Sequence, residues 1–234
     1  MNERTKRITR FGLLTALALV LGWLDRAIPL SALLGGAAPG IRLGLANTVI
    51  LYAVYLMDLP SAILLMAVKV VLSGLLFGSV TAMIYSLAGG VLSLLAMRAM
   101  RGRPSLALRC GQGLAAAGAA ALWIAHPHPA GAILLSLILT LAAVLACELL
   151  AWAIRKGKIS GVAGTSVAGA VAHNTGQVLT AAVMLGTPAL MTTYLPILVG
   201  VGAAVGLITG TAADRVLRAL RVPDRVMRGG KERE

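Results

Sequence analysis

Eight apolar stretches, separated by short segments whose Lys and Arg fall almost entirely on alternate sides, fill this chain of 234 residues. A backbone enclosed in hydrocarbon must satisfy its own N–H and C=O groups, so this pattern predicts an all-α, polytopic bundle of transmembrane helices. Composition agrees, with 59% hydrophobic and 12% charged residues where a soluble domain carries roughly 25% charge. The net charge of +13 does not describe a nucleic-acid footprint, because the basic residues sit at the ends of apolar runs rather than on one polar face. Cys110 and Cys147 have neither disulfide-framework nor zinc-ligand spacing and read as small apolar packing residues. Arg4, Lys6, Arg7 and Arg10 before the first apolar run imitate a signal peptide. No small-residue cleavage site follows, so that run is expected to stay as a membrane anchor.

The predicted spans are residues 11–24, 43–57, 61–77, 80–97, 106–125, 130–153, about 161–185 and 194–213, several of them shorter than the ~20 residues of a perpendicular span. Pro29, Gly35, Gly36, Pro39 and Gly40 make 27–40 a helix-breaking external loop or re-entrant segment. Turns are expected at Asp58-Leu59-Pro60, Gly78-Ser79, His126-Pro127-His128-Pro129 and Gly186-Thr187-Pro188. On this topology the four cytoplasmic regions hold 4, 4, 3 and 7 Lys and Arg residues, while Arg26 and Arg42 alone lie outside and Lys69 lies within a span. Both termini are therefore expected in the cytoplasm. The turn at Asp58 is the weak point, since it carries no basic residue of its own.

An ionisable side chain at the bilayer centre costs roughly 2.5–3.5 kcal/mol even on the lenient insertion scale, so the few polar residues inside spans are informative. Lys69 and His173 lie mid-span. Ser166, Gly169, His173 and Gln177 follow three- and four-residue steps on one helical stripe, with Asn174 flanking it. That face is either interhelical glue or the wall of a polar pocket. Arg42, after Pro39 and Gly40, opens the second span, where a helix N-terminus and a guanidinium make a natural anion site; the alternative is an arginine reaching to external headgroups. Asn47, about a turn deeper, bonds either a ligand or a neighbouring helix. Asp25 and Arg26 read as an interface pair, and Glu148 as a partner for a basic residue at the cytoplasmic edge. Gly12 and Ala16, then Ala18 and Gly22, repeat at four-residue spacing and allow close helix approach, internally or by a partner subunit. Eight scattered acids, without a DDxxD-like cluster, do not suit Mg²⁺-dependent phosphoryl or prenyl chemistry, and no nucleotide-binding motif is present. The expectation is a non-enzyme with no metal and no cofactor.

Pro39-Gly-Ile-Arg-Leu-Gly-Leu-Ala-Asn47, Leu75-Leu-Phe-Gly-Ser79, Tyr85-Ser-Leu-Ala-Gly-Gly90 and Ser166-Val-Ala-Gly-Ala-Val-Ala-His-Asn174 with Gln177 resemble the bacterial family labelled heptaprenyl diphosphate synthase component I, also called the Gx transporter family. The resemblance covers roughly residues 8–97 and 159–213. The family is in turn similar to the substrate-binding S components of energy-coupling factor transporters, compact six-helix membrane proteins. That likeness implies a first helix docking on a T component and a first external loop covering a pocket. The segment 104–154 departs from this pattern as an added hairpin, and 214–234 forms a basic cytoplasmic tail of the single membrane domain 1–234.

The resemblance implies two functions. As an S-component-like subunit of a cytoplasmic membrane, the chain would bind a small molecule through Arg42, Asn47, Lys69, His173, Asn174 and Gln177. It would dock through Gly12, Ala16, Ala18 and Gly22 on a T component powered by ATPase subunits. As component I of a heptaprenyl diphosphate synthase, it would be the non-catalytic membrane partner of a soluble prenyltransferase in menaquinone side-chain synthesis. A third class, a stand-alone ion-coupled carrier, needs no partner.

Overall fold

A computed structural model describes residues 2–28, 42, 44–77, 80–101, 160–187 and 189–227, with isolated positions between 145 and 157. The helices are α1 (Glu3–Ala27), α2 (Asn47–Leu56), α3 (Leu59–Phe77), α4 (Val80–Met100), α5 (Gly161–Met184), α6 (Ala189–Ala219) and the short α7 (Asp224–Met227). No strand occurs among the described residues. The hairpin expected over 104–154, with its His126-Pro127-His128-Pro129 tip, lies outside the described residues apart from those isolated positions, among which Glu148 is half-buried. Most of the 27–40 loop, the Gly78-Ser79 turn, Cys110, Cys147 and residues 228–234 also lie outside them.

Among the described residues four helices, α1, α3, α4 and α6, are long and apolar enough to cross a membrane. Their outward faces carry Leu13, Val20, Leu75, Val80 and Ile208, all more than half exposed. A belt of this kind would be a liability in water and is ordinary against lipid. The α5 helix has the length to span, but Thr165, Ser166, His173, Asn174, Thr175 and Gln177 dilute its apolar character. It compensates by burial between α4 and α6. Small residues make that sandwich possible: a methyl group at Gly176 would come within 2.8 Å of the Gly89 Cα on α4, and one at Gly206 within 2.8 Å of the Val167 Cα. In hydrocarbon, where apolar surface gains nothing by leaving lipid, such backbone-to-backbone packing holds helices together.

Local signals set the limits of α5. The Ser160 hydroxyl accepts the Ala163 N–H at 3.1 Å as an N-cap. At the other end Gly186 adopts φ 61°, and the N–H groups of Gly186 and Thr187 return to the carbonyls of Val183 and Ala182. This is the Schellman arrangement, which favours a residue without a Cβ at the left-handed position. The turn expected at Gly186 is present.

The second predicted span, 43–57, is corrected. Its helix covers only Asn47–Leu56, about 15 Å long against a hydrocarbon thickness of ~30 Å. Gly44 at φ 82° keeps the chain from entering the helix earlier.

Charged helix ends gather at one end of the bundle. Arg7 of α1 bonds Asp58 before α3 at 2.6 Å, so the turn without a basic residue borrows one from another helix. Hydrogen bonds from Ser61 and then Arg7 hold the Asp58 carboxyl below the usual carboxylate range. Arg101, following α4, donates to the Val54 carbonyl near the end of α2 and lies 5.2 Å over the Tyr55 ring. The Tyr55 hydroxyl donates to Thr165 in the first turns of α5 at 3.1 Å. A hydrophobic cluster built on Leu14, Val49, Leu65, Met97 and Leu217 fills the bundle beside this end, and a second one joins α4, α5 and α6 through Tyr85, Val178, Tyr194 and Leu198.

Candidate functional site

A polar chamber lies where α1 finishes and the chain enters α2, remote from the charged end: Arg7 and Asp25 of α1 are about 27 Å apart along the helix axis. Asp25, Arg42, Lys69, Ser73, Ser86, His173 and Gln177 line it together with Ala18, Gly22, Gly44, Ala46 and Val70. The cavity is about 20 Å³, room for one or two waters.

Asp25 organises the entry to α2. Its Oδ2 accepts the N–H groups of Gly44 at 2.9 Å and Leu45 at 3.2 Å. The first turn of α2 then closes through Asn47 N–H to the Gly44 carbonyl at 2.8 Å. The expectation that these backbone donors await an external anion is thus replaced: a carboxylate of the chain itself already holds them.

Gln177 ties the same segment to α5. Its Oε1 accepts the Arg42 N–H at 3.1 Å, and its Nε2 lies 2.9 Å from His173 Nε2. Because a backbone N–H can only donate, the Gln177 amide must present its NH₂ to the imidazole, and His173 Nε2 must accept. The remaining ring proton belongs on Nδ1, which packs against the Gly89 backbone: a methyl group at Gly89 would fall 2.8 Å from Nδ1 and 2.7 Å from the His173 carbonyl oxygen. On its other side the ring closes on Gly44, where a Cβ would come within 2.8 Å of Cδ2. His173 is therefore a neutral, wedged ring in the wall.

The cations differ in how they are held. Arg42 Nη1 donates to the Ser73 hydroxyl at 3.4 Å. Lys69 is 7% exposed and lines the cavity. It lies close enough to Asp25 and Arg42 to feel both charges, yet no hydrogen bond or ion pair among the described residues reaches its ammonium.

Four of the six residues expected to bind a ligand, Arg42, Lys69, His173 and Gln177, thus converge on one chamber. The other two do not. Asn47 donates to Ser93 at 2.6 Å between α2 and α4, and Asn174, fully buried, donates to the Leu198 carbonyl of α6 at 2.7 Å. One residue further along a helix means a rotation of about 100°, which turns Asn174 away from the cavity that His173 faces. Asp25, Ser73, Ser86 and Gly44 were not anticipated as wall residues. Asp25 carried a signal: it is the single acid between Glu3 and Asp58, set in a stretch with two neighbouring cations. Of the small residues on α1, Gly12 and Ala16 are exposed, whereas Ala18 and Gly22 face inward and line the chamber. Among the described residues no three His, Cys, Asp or Glu side chains assemble as metal ligands.

The lining thus gathers two cations, one carboxylate and several hydrogen-bonding groups around one small cavity. The family described as heptaprenyl diphosphate synthase component I matches residues 14–125 and 119–216. No curated protein and no solved structure matches. The two matched segments take in every residue that lines the chamber, and the chain belongs to the heptaprenyl diphosphate synthase component I family.

Proposed function

We propose that this chain is a non-catalytic membrane component of a heptaprenyl diphosphate synthase, working beside a soluble prenyltransferase subunit that performs the chain elongation. The family match over most of the chain supports this reading. Residue chemistry supports it as well: the eight acids are dispersed, and the chamber presents two cations, one acid, a neutral imidazole and an amide, a set suited to holding a polar group. The charged end of the bundle, where Arg7, Arg98, Arg101 and Arg218 collect, would face the cytoplasm under the positive-inside rule and offer a soluble partner its surface. The chamber would then lie toward the outer face.

One observation favours a second reading. A buried polar chamber at the end of the bundle remote from the charged helix ends suits capture of a small molecule from outside, as an S-component-like subunit would perform. Gly12 and Ala16, exposed on α1, would be the part of the small-residue stripe left for a T component, because Ala18 and Gly22 are used internally.

Affinity purification of the full chain from native membranes separates the two. Recovery of a soluble prenyltransferase supports the first. Recovery of a T component with ATPases, and no prenyltransferase, overturns it in favour of the second. Gradient-driven uptake by the pure chain in liposomes would overturn both.

A further inference from the structure

Among the described residues the chamber holds one more cation than acid. Lys69 and Arg42 share a single acid, Asp25, and the Oδ2 of that acid is engaged with the Gly44 and Leu45 N–H groups. Arg26 is near enough to add its charge at Arg42. The sequence limits any internal remedy. Residues 27–57 contain no Asp or Glu. Asp58, Asp214 and Asp224 are paired with Arg7 or Arg218 at the far end of the bundle, and of the other acids Glu3, Glu232 and Glu234 lie far along the sequence from the chamber's segments while Glu148 is not among the residues that line it. Burying an ammonium without a direct ion pair or hydrogen bond is unfavourable in a low-dielectric setting, and Lys69 is more than nine-tenths buried at the wall of a cavity, with no more than a share in the Asp25 charge and no hydrogen bond or ion pair among the described residues.

We infer that the chamber takes an oxyanion, a carboxylate or phosphate group, seated between the Lys69 ammonium and the Arg42 guanidinium. This rests on the reading of the chamber as a ligand site, and it names the chemical class. Lys69 supplies an unused point charge with three donors, Arg42 a planar set of donors already steadied by Ser73, and the serine hydroxyls of Ser73 and Ser86 complete a polar wall. Asp25 is the internal competitor. By occupying the backbone donors ahead of α2 it keeps the α2 entrance closed, and it repels an anion enough to make the group exchangeable. The cavity volume of about 20 Å³ admits only the small head of a larger molecule, or a small free anion after a modest opening.

The test is a titration of the purified full chain in nanodiscs of neutral lipid with inorganic phosphate and, separately, acetate, at constant ionic strength against chloride, read by thermal unfolding. A saturable upward shift with either anion, absent with chloride, is expected. K69M should weaken it roughly 10- to 100-fold, the worth of a charged hydrogen bond, K69R should restore most of it, and D25N should strengthen it. A parallel arm with anionic phosphatidylglycerol in the nanodisc identifies the source: stabilisation by that lipid which K69M removes assigns the oxyanion to a headgroup. If neither the soluble anions nor the lipid stabilise the wild-type chain, the inference fails, whatever the variants do. It fails equally if K69M titrates like wild type, or if E148Q gains affinity, which would show that Glu148 supplies the missing counter-charge. Partner recovery in the purification experiment does not depend on any of these results.

Discussion

Replacing Gly176 by Ala puts a methyl group where α4 leaves no room for one. The new Cβ would lie 2.8 Å from the Gly89 Cα, 3.0 Å from the Ala88 carbonyl oxygen and 3.0 Å from the Gly89 nitrogen, against 3.4–4 Å for ordinary contact. All three neighbours are backbone atoms, so no side chain can turn aside and the helices must part by about half an ångström. Overpacking of this kind costs typically 1–3 kcal/mol. Ala gains about 1 kcal/mol of helix propensity over Gly, and that gain needs a control at a site free of contact. Gly12 is such a site, because a Cβ there meets nothing within 4 Å. Thermal unfolding of the purified chain in detergent, followed by circular dichroism, should therefore show G12A at or above wild type and G176A below G12A by about 1–3 kcal/mol. Because Gln177 is the next residue, the displacement should also loosen its grip on the Arg42 N–H. Equal stability of G176A and G12A would refute the backbone-to-backbone contact between α4 and α5, and with it the placement of the chamber's α5 wall.

Further predictions follow from the chamber. Q177A removes the acceptor of the Arg42 N–H and should destabilise by about 1–3 kcal/mol, measured by the same unfolding assay. D25A leaves the Gly44 and Leu45 N–H groups without their acceptor, at about 1–3 kcal/mol each, whereas D25N keeps an oxygen there and should unfold at a temperature closer to wild type. N174A should cost about 0.5–1.5 kcal/mol through the lost hydrogen bond to the Leu198 carbonyl while leaving anion titrations unchanged, because its side chain faces α6. The Asp58 carboxyl is held below its ordinary value, so its pairing stabilises the fold fully above that value and loses its effect as pH falls through the lowered one. D58N should cost no more than about 1 kcal/mol at neutral pH, and unfolding curves of wild type and variant should converge in acid.

The sequence carried the fold class well because immersion in lipid leaves few choices, and span positions follow from apolar run length. It placed α3, α4 and α5 within a few residues. It failed at α2, because Gly44 and the tertiary bond from Asp25 delay the helix, and neither leaves a mark in hydropathy. For the site, the four-residue step from His173 to Gln177 puts those two on one face of α5, and both line the chamber, whereas Ser166 on the same expected stripe meets Thr209 of α6; the scarcity of intramembrane charge singled out Lys69. Asn174 and Asn47 were legible as buried polar groups but not as to partner. One residue of helical rotation sends Asn174 to α6, and Asn47 finds Ser93 through a helix pairing that no local pattern encodes. Asp25 was read with its chain neighbour Arg26, whereas its bonds run to a segment nineteen and twenty residues onward.

If the buried hydrophilic groups at one end of this bundle hold a guest, native mass spectrometry of the full chain, released directly from its own membranes, should show it. Wild-type ions should carry a small, non-covalently bound acidic molecule, and K69M ions prepared in the same way should lack it. Identical, unliganded spectra for the two proteins would contradict the presence of a guest.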